Sequence, residues 1–323
     1  MRQLLKSTAQ KLFHRAGGLH LVRRKNRHAA RILMYHRFSD PVPLEAQCVY
    51  LKQHYELLSM LELSEHLQSG QTFPPNSVVI TVDDGYRDFL KVAFPIFSRY
   101  GIPVTVFLVT DFLDGKVWLW PDVLKYSFEH TSHSRVAIEI ANGHHRSLPL
   151  DSSASRLQAA RLAIEEAKKL MNRDRSFFVE NLKEKLQVKL PQEAPDLYQP
   201  LHWDEVRTLA RSGVEFGAHT RTHPILSKML DNRELRDEIF GSKKRIEDEL
   251  SLPVFHFCYP NGRAADIGDA AVEVVRGANF RTAVTTEGGL NLKCSNRLLL
   301  RRIGVEPDLP ELYFHQCVAG FRV

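Results

Sequence analysis

Seven short apolar runs recur along the chain, and they constrain what it can fold into more than any other feature. They are Arg31–His36, Ser77–Asp83, Val104–Val109, Val214–His219, Val254–Tyr259, Arg281–Thr285 and Leu298–Ile303. Several are almost continuously apolar, which is the pattern of parallel strands covered on both faces rather than of half-exposed ones. Helical patterns lie between them, near 49–62, 86–100, 203–212, 231–250 and 266–277. Strands and helices alternating over this length specify a parallel α/β architecture, either an open sheet or a barrel. No apolar run approaches the roughly 18–20 residues of a membrane-spanning helix, so an integral membrane protein is excluded.

The alternation breaks once. Residues 115–200 insert a loop carrying Trp118 and Trp120, a strand near 135–141 and two charged helices near 153–171 and 173–187, closed by Pro191, Pro195 and Pro200. This is an insertion on the main domain, a lid or a small subdomain. His144-His145 reads as an exposed turn within it, beside Asn142-Gly143. The two tryptophans either stack on a ligand or bury the insertion against the main domain, and Trp203, at a helix start, reads as packing.

The net charge of +6 is unevenly distributed. Residues 1–31 hold nine Lys and Arg and no acidic residue, so the other 292 residues carry a net −3. The high pI therefore belongs to an arm of residues 1–30, and the body offers no basic groove for nucleic acid. In the arm, Leu5, Ala9, Leu12, Phe13 and Ala16 share a helical face away from Lys6, Lys11 and Arg15, and Gly17-Gly18 ends the helix. A basic amphipathic helix followed by Arg23-Arg24-Lys25 suits peripheral contact with an anionic membrane; a solvated arm or one packed on the domain has the same pattern. It has no apolar core of 7–15 residues and no small-residue cleavage site, so it does not read as a secretory signal. Cys48, Cys258, Cys294 and Cys317 form no Cys-x-x-Cys pair, which argues against a zinc ribbon or a dithiol redox site. The expectation is a cytoplasmic protein with reduced thiols, peripheral at the inner membrane surface if the arm binds there.

Chemistry concentrates where the strands end, the place at which parallel α/β folds build active sites. His36, Asp83-Asp84-Gly85, His219 with His223, Tyr259-Pro260-Asn261-Gly262 and Arg301-Arg302 all fall there. Adjacent carboxylates repel unless a cation or donors offset the cost. Because adjacent residues diverge, one Asp can bind a metal while the other faces its water; the bland alternative is an ordinary Asp-Asp-Gly turn. His219 and His223, four apart, share a face if a helical turn follows the strand, and Thr220 fills the glutamate position of the zinc-peptidase pattern. Asp84 with two histidines makes a metal set with open coordination positions.

Thr81-Val82-Asp83-Asp84-Gly85, His219-Thr220-Arg221-Thr222-His223 and Tyr259-Pro260-Asn261-Gly262, in that order, resemble the motifs of the polysaccharide deacetylase (NodB homology) family, over residues 31 to about 305 outside the insertion. Leu33-Met34-Tyr35-His36-Arg37-Phe38 resembles the opening of its poly-N-acetylglucosamine branch. The resemblance implies a distorted (β/α)7 barrel carrying a mixed α/β insertion, and metal-dependent removal of N-acetyl groups from an N-acetylated glycan. By motif position, Asp84, His219 and His223 are the metal ligands, Asp83 the general base, the Asn261 amide an oxyanion donor and His36 the general acid. Cys258 stands where the family's third motif has Arg, and Asn261 where it has Tyr. The usual Leu-x-His is absent near Leu299-Leu300-Arg301-Arg302, and Arg302 is read as orienting Asp83 in place of the missing Arg. The implied cofactor is a divalent ion, zinc first and cobalt, nickel or manganese as alternatives. Another metal-dependent amidase, a silent carbohydrate-binding or scaffold protein and an iron oxygenase are the competing readings; the Asp pair and the strand pattern oppose the last.

Overall fold

The computed structural model describes residues 17–140 and 144–322. The amphipathic helix expected in the first part of the arm lies outside the described residues. From Gly18 to Lys25 the chain is helical, with Leu19 buried and Asn26 donating to the Ala319 carbonyl at 3.1 Å, so this part of the arm packs on the C-terminal helix Glu311–Ala319.

Ten strands are present among the described residues: β1 (Arg31–Tyr35), β2 (Glu56–Leu57), β3 (Ser77–Val82), β4 (Val104–Leu108), β5 (Arg135–Ile140), β6 (His144–Pro149), β7 (Glu215–Ala218), β8 (His256–Cys258), β9 (Thr282–Gly288) and β10 (Leu300–Gly304). Seven of them pair in parallel in the order β1-β3-β4-β7-β8-β9-β10, and β10 returns to β1, closing a (β/α)7 barrel. β2 pairs with the start of β3 outside the ring. The barrel is distorted where β9 and β10 slip register between Leu300 and Arg302, and where β7 meets β8 through the single pair Ala218 and Phe257. Full closure leaves the ring without an unpaired sheet edge.

Side-chain parity sorts the residues. Ile32, Val79, Phe107, Cys258, Val284 and Leu300 fill the inner face, and Met60, Leu63 and Phe73 plug its N-terminal end. Leu33, Tyr35, Val78, Ile80, Val82, Val106 and Leu108 face outward into the layer of helices. The same inner parity leads from Ile32 to His36, from Val79 to Asp83 and from Leu300 to Arg302.

The expected strands all form, with ends shifted by at most a few residues. The helix expected at 49–62 is instead two, Pro41–His54 and Met60–Ser69, divided by β2. Ser59 starts the second through a capping box with Glu62, a local signal that outranks the continuous apolar pattern. His144 and His145 lie on β6, paired antiparallel with β5, rather than on a turn. A helix Trp120–His130 also forms, and the insertion has its own apolar core from Phe128, Ile138, Leu148, Ala163 and Leu182. No helix among the described residues is long and apolar enough to cross a membrane.

Gly217 on β7 tests the inner packing. A Cβ there would stand 2.5 Å from the Phe107 ring and 2.9 Å from the His256 carbonyl oxygen. Gly217→Ala is expected to cost about 1–3 kcal/mol by overpacking, read as a lower urea midpoint with an unchanged slope; an unchanged midpoint would mean the inner face is looser than described.

Candidate active site

Asp83 follows β3 directly, and its N–H still donates to the Tyr35 carbonyl at 2.9 Å, so the carboxylate inherits the strand's inward direction. Arg302 meets it with a two-pronged contact, Nη1 to Oδ1 and Nη2 to Oδ2, both at 2.7 Å. Asp83 is 2% exposed and Arg302 1%. The guanidinium is anchored further by donating from Nε to the Thr285 carbonyl at 2.7 Å and from Nη1 to Thr81 Oγ1 at 3.2 Å. Burial pushes the Asp83 carboxyl toward its neutral form, but the Arg302 charge and hydrogen bonds more than offset it and hold the group below the usual carboxylate range. Asp83 is therefore a fixed, ionised acceptor. His36, at the end of β1, brings Nε2 to 3.7 Å from Asp83 Oδ2 and is partly open to solvent.

The next carboxylate is turned away by the backbone. Asp84 has φ of 74° and Gly85 of 82°, and a Cβ on Gly85 would stand 2.8 Å from a Leu108 methyl. Glycine is thus required there by conformation and by space. The turn delivers Asp84 Oδ1 to 3.5 Å from both His219 Nε2 and His223 Nε2. That oxygen is buried and has no hydrogen-bond partner among the described residues. Donor atoms sharing a tetrahedral ion at about 2.0–2.1 Å stand about 3.4 Å apart, so the three side chains fit a divalent cation. The His219 Nδ1 is 2.7 Å from the Cys258 carbonyl oxygen, which can only accept, so Nδ1 carries a proton and Nε2 is the ring nitrogen directed at Asp84. Burial pulls His223 down to about 4, leaving a neutral imidazole suited to ligation.

Asp83, His219 and Cys258 form a second set within ligating reach. It is the poorer site: Arg302 occupies both Asp83 oxygens, and burial pushes the Cys258 thiol up despite the Arg302 charge, keeping it protonated. Cys258 Sγ instead accepts from Arg302 Nη2 at 3.1 Å.

The His219–His223 segment is a strained loop and not the helical turn envisaged from the spacing. Thr220 has φ of 68° and His223 of 59°, conformations costing on the order of 1–3 kcal/mol each. Two groups hold it. Thr220 Oγ1 accepts from the His223 N–H at 3.1 Å while donating to the His219 carbonyl. The Glu238 carboxylate accepts from the Arg221 and Thr222 N–H groups at 2.7 and 3.0 Å and from Thr222 Oγ1 at 2.6 Å. Sequence reasoning missed both residues: a threonine between motif histidines has no signature of its own, and Glu238 is brought back by the helix Asn232–Leu250 with no local signal. Asn261 also has a positive φ, 58°, and its backbone N–H has no acceptor among the described residues.

Two substitutions probe this arrangement. Arg302→Met leaves Asp83 as a buried, unpaired charge and is expected to cost about 3–5 kcal/mol in a denaturation experiment. Thr220→Val keeps the side-chain shape but removes both hydrogen bonds of the hydroxyl, and zinc affinity measured against a competing chelator is expected to fall about 10–100-fold; an unchanged affinity would make the latch irrelevant to the site.

A family model described as polysaccharide deacetylase matches residues 70–283, a span that takes in Asp83, Asp84, His219, His223 and Asn261. YxkH of Bacillus subtilis (strain 168), which is named for the polysaccharide deacetylases, is 31% identical over 107 residues; the match covers 31% of this chain and only 38% of YxkH. Among solved structures, the deacetylase PplD of Streptococcus pyogenes aligns over 90% of this chain and 99% of its own, with a TM-score of 0.58 at 18% identity. IcaB from Ammonifex degensii aligns over 90% and 96%, with a TM-score of 0.56 at 16% identity. These structural likenesses bear on the fold, and they share the barrel. With the family model spanning most of that barrel and its site, the chain belongs to the polysaccharide deacetylase family.

Proposed function

We propose that this chain hydrolyses the acetamido group of an N-acetylated amino sugar at the ends of β1, β3, β7, β8 and β10, with a divalent cation held by Asp84, His219 and His223. The observation that carries the reading is the division of labour between adjacent carboxylates. Asp83 is locked and ionised by Arg302, whereas Asp84 Oδ1 has no hydrogen-bond partner among the described residues and faces two imidazoles at 3.5 Å. A cation bound there supplies Lewis acidity, making water a competent nucleophile near neutral pH and polarising the acetyl carbonyl.

The chain's own residues do the rest. Asp83 accepts a proton from the attacking water as oxygen adds to the carbonyl carbon. The Asn261 N–H faces the oxygen on which negative charge develops, a fixed dipole that needs no rearrangement as the charge appears. His36, on the solvent side of Asp83, gives its proton to the departing nitrogen as the C–N bond breaks. Acetate and a free amino sugar result. Arg302 acts through Asp83, as a positioning residue.

The test is acetate release from short N-acetylglucosamine oligomers by the full chain after chelation, then after adding back zinc, cobalt, nickel or manganese. Release is expected only with metal, and Asp83→Asn is expected to lower it by at least about 100-fold while leaving metal binding intact. Release unaffected by chelation would overturn the metal assignment. No release from any oligomer, with release from simple amides, would favour a non-sugar amidase on the same barrel.

A further inference from the structure

Between the insertion and the barrel rim runs a groove of about 930 Å³. Arg221, Thr222 and Pro224 line it on the barrel side, flanking His223, and Trp118, Trp120 and Arg175 on the insertion side. Two of the rim's charged groups have partners on the protein. Arg221 reaches Asp111 at 3.1 Å, and Glu238 caps the loop N–H groups.

Arg175 does not. It is 4% exposed, has no carboxylate within 4.0 Å and donates no side-chain hydrogen bond to any described residue; Nη1 is buried without a partner. Burial brings it down to about 10, so it is still cationic at neutral pH. Its guanidinium carbon lies 5.1 Å from the centre of the Trp120 ring, whose Nε1–H is also buried without a partner. Two unpartnered N–H donors thus line one groove. A buried cation with no counter-charge is costly to hold, and the face of the Trp120 ring offsets only part of that cost.

The position is nevertheless well fixed. Asn172, at the start of the helix Asn172–Lys185, donates from Nδ2 to the Ile225 carbonyl at 3.1 Å and accepts from the Ile225 N–H at 3.3 Å. That pair of bonds to the segment two residues beyond His223 ties the helix to the rim, and Arg175, three residues on, occupies the same helical face.

We propose that Arg175 and the Trp120 N–H form an oxyanion subsite beside the deacetylation centre, selecting glycans that carry a phosphoryl or carboxylate group near the acetamido sugar. A guanidinium fork matches either oxyanion with two parallel hydrogen bonds, and an oxyanion supplies the counter-charge that Arg175 lacks. This deepens the deacetylase reading and rests on it for the identity of the rest of the ligand.

Titration calorimetry tests it on the full chain carrying Asp83→Asn, which binds without turnover, with N-acetylglucosamine, N-acetylglucosamine 1-phosphate and N-acetylmuramic acid as probes. At least one anionic sugar is expected to bind about tenfold or more tightly than the neutral one, and which of them does so separates a phosphoryl from a carboxylate ligand. Arg175→Met in the same background is expected to abolish the preference. No preference, or one that survives Arg175→Met, overturns the subsite. The thermal midpoint of Arg175→Met is expected to hold or rise; a fall would assign Arg175 to the fold and overturn the proposal as well. Acetate release by the chain with Asp83 intact keeps the two readings apart. Release from neutral oligomers without an anion preference overturns the subsite alone, whereas an Arg175-dependent preference without release supports the subsite and removes the deacetylase chemistry.

Discussion

The contact between Arg302 and Asp83 crosses the inside of the barrel and joins the third strand in the chain to the last. Both groups are almost wholly removed from water, so neither is tolerable alone, and their attraction has to offset two desolvation costs. The geometry that achieves this, two 2.7 Å bonds in register, demands that β3 and β10 hold one relative position. Thr81, Thr285 and Cys258 reinforce it from three strands by satisfying the remaining donors of the guanidinium. The pair therefore locks β3 and β10 to one another across β1, which pairs with both, and keeps the inward carboxylate ionised at the candidate site.

Around that fixed point the backbone is bent. Asp84, Thr220, His223 and Asn261 all take left-handed conformations that residues with a Cβ normally avoid. Their conjunction at the strand ends matches the expectation that strain gathers where function needs an unusual direction. It is held by particular groups: the Gly85 turn packed under Leu108, the Thr220 hydroxyl and the Glu238 carboxylate. The three candidate ligands are thereby presented from two loops with no regular secondary structure, on a scaffold whose strands are rigid.

The insertion is connected to the same centre. Its return segment runs beside the Asp-Asp-Gly turn, where Leu201 donates to the Gly85 carbonyl at 2.9 Å and Arg87 to the Gln199 carbonyl at 2.9 Å. Tyr86 hydrogen-bonds to Asp122 on the helix Trp120–His130, and Asn172 grips the loop beyond His223. A unit with its own apolar core is thus docked against both motif loops, as part of the wall around the candidate site and not a remote appendage.

Much of this was legible in the amino-acid sequence because strand parity is a local property. Alternation along Ile32, Met34 and His36, or Val79, Thr81 and Asp83, places the polar end of each run on the side opposite the helices, and this follows from the pleat alone. The glycine after two aspartates likewise marks a turn on its own chemistry. What could not be read locally is anything set by residues far apart in the chain. Glu238 reaches the histidine loop from the helix Asn232–Leu250, and Thr220 becomes a latch only once the loop has bent. Arg175 looks like any charged residue of a solvated helix, and its burial without a partner exists only because the insertion folds back onto the rim. Local chain geometry determined which side chains face inward, and long-range packing decided which of them meet, because burial and pairing are properties of the closed barrel and not of any one segment.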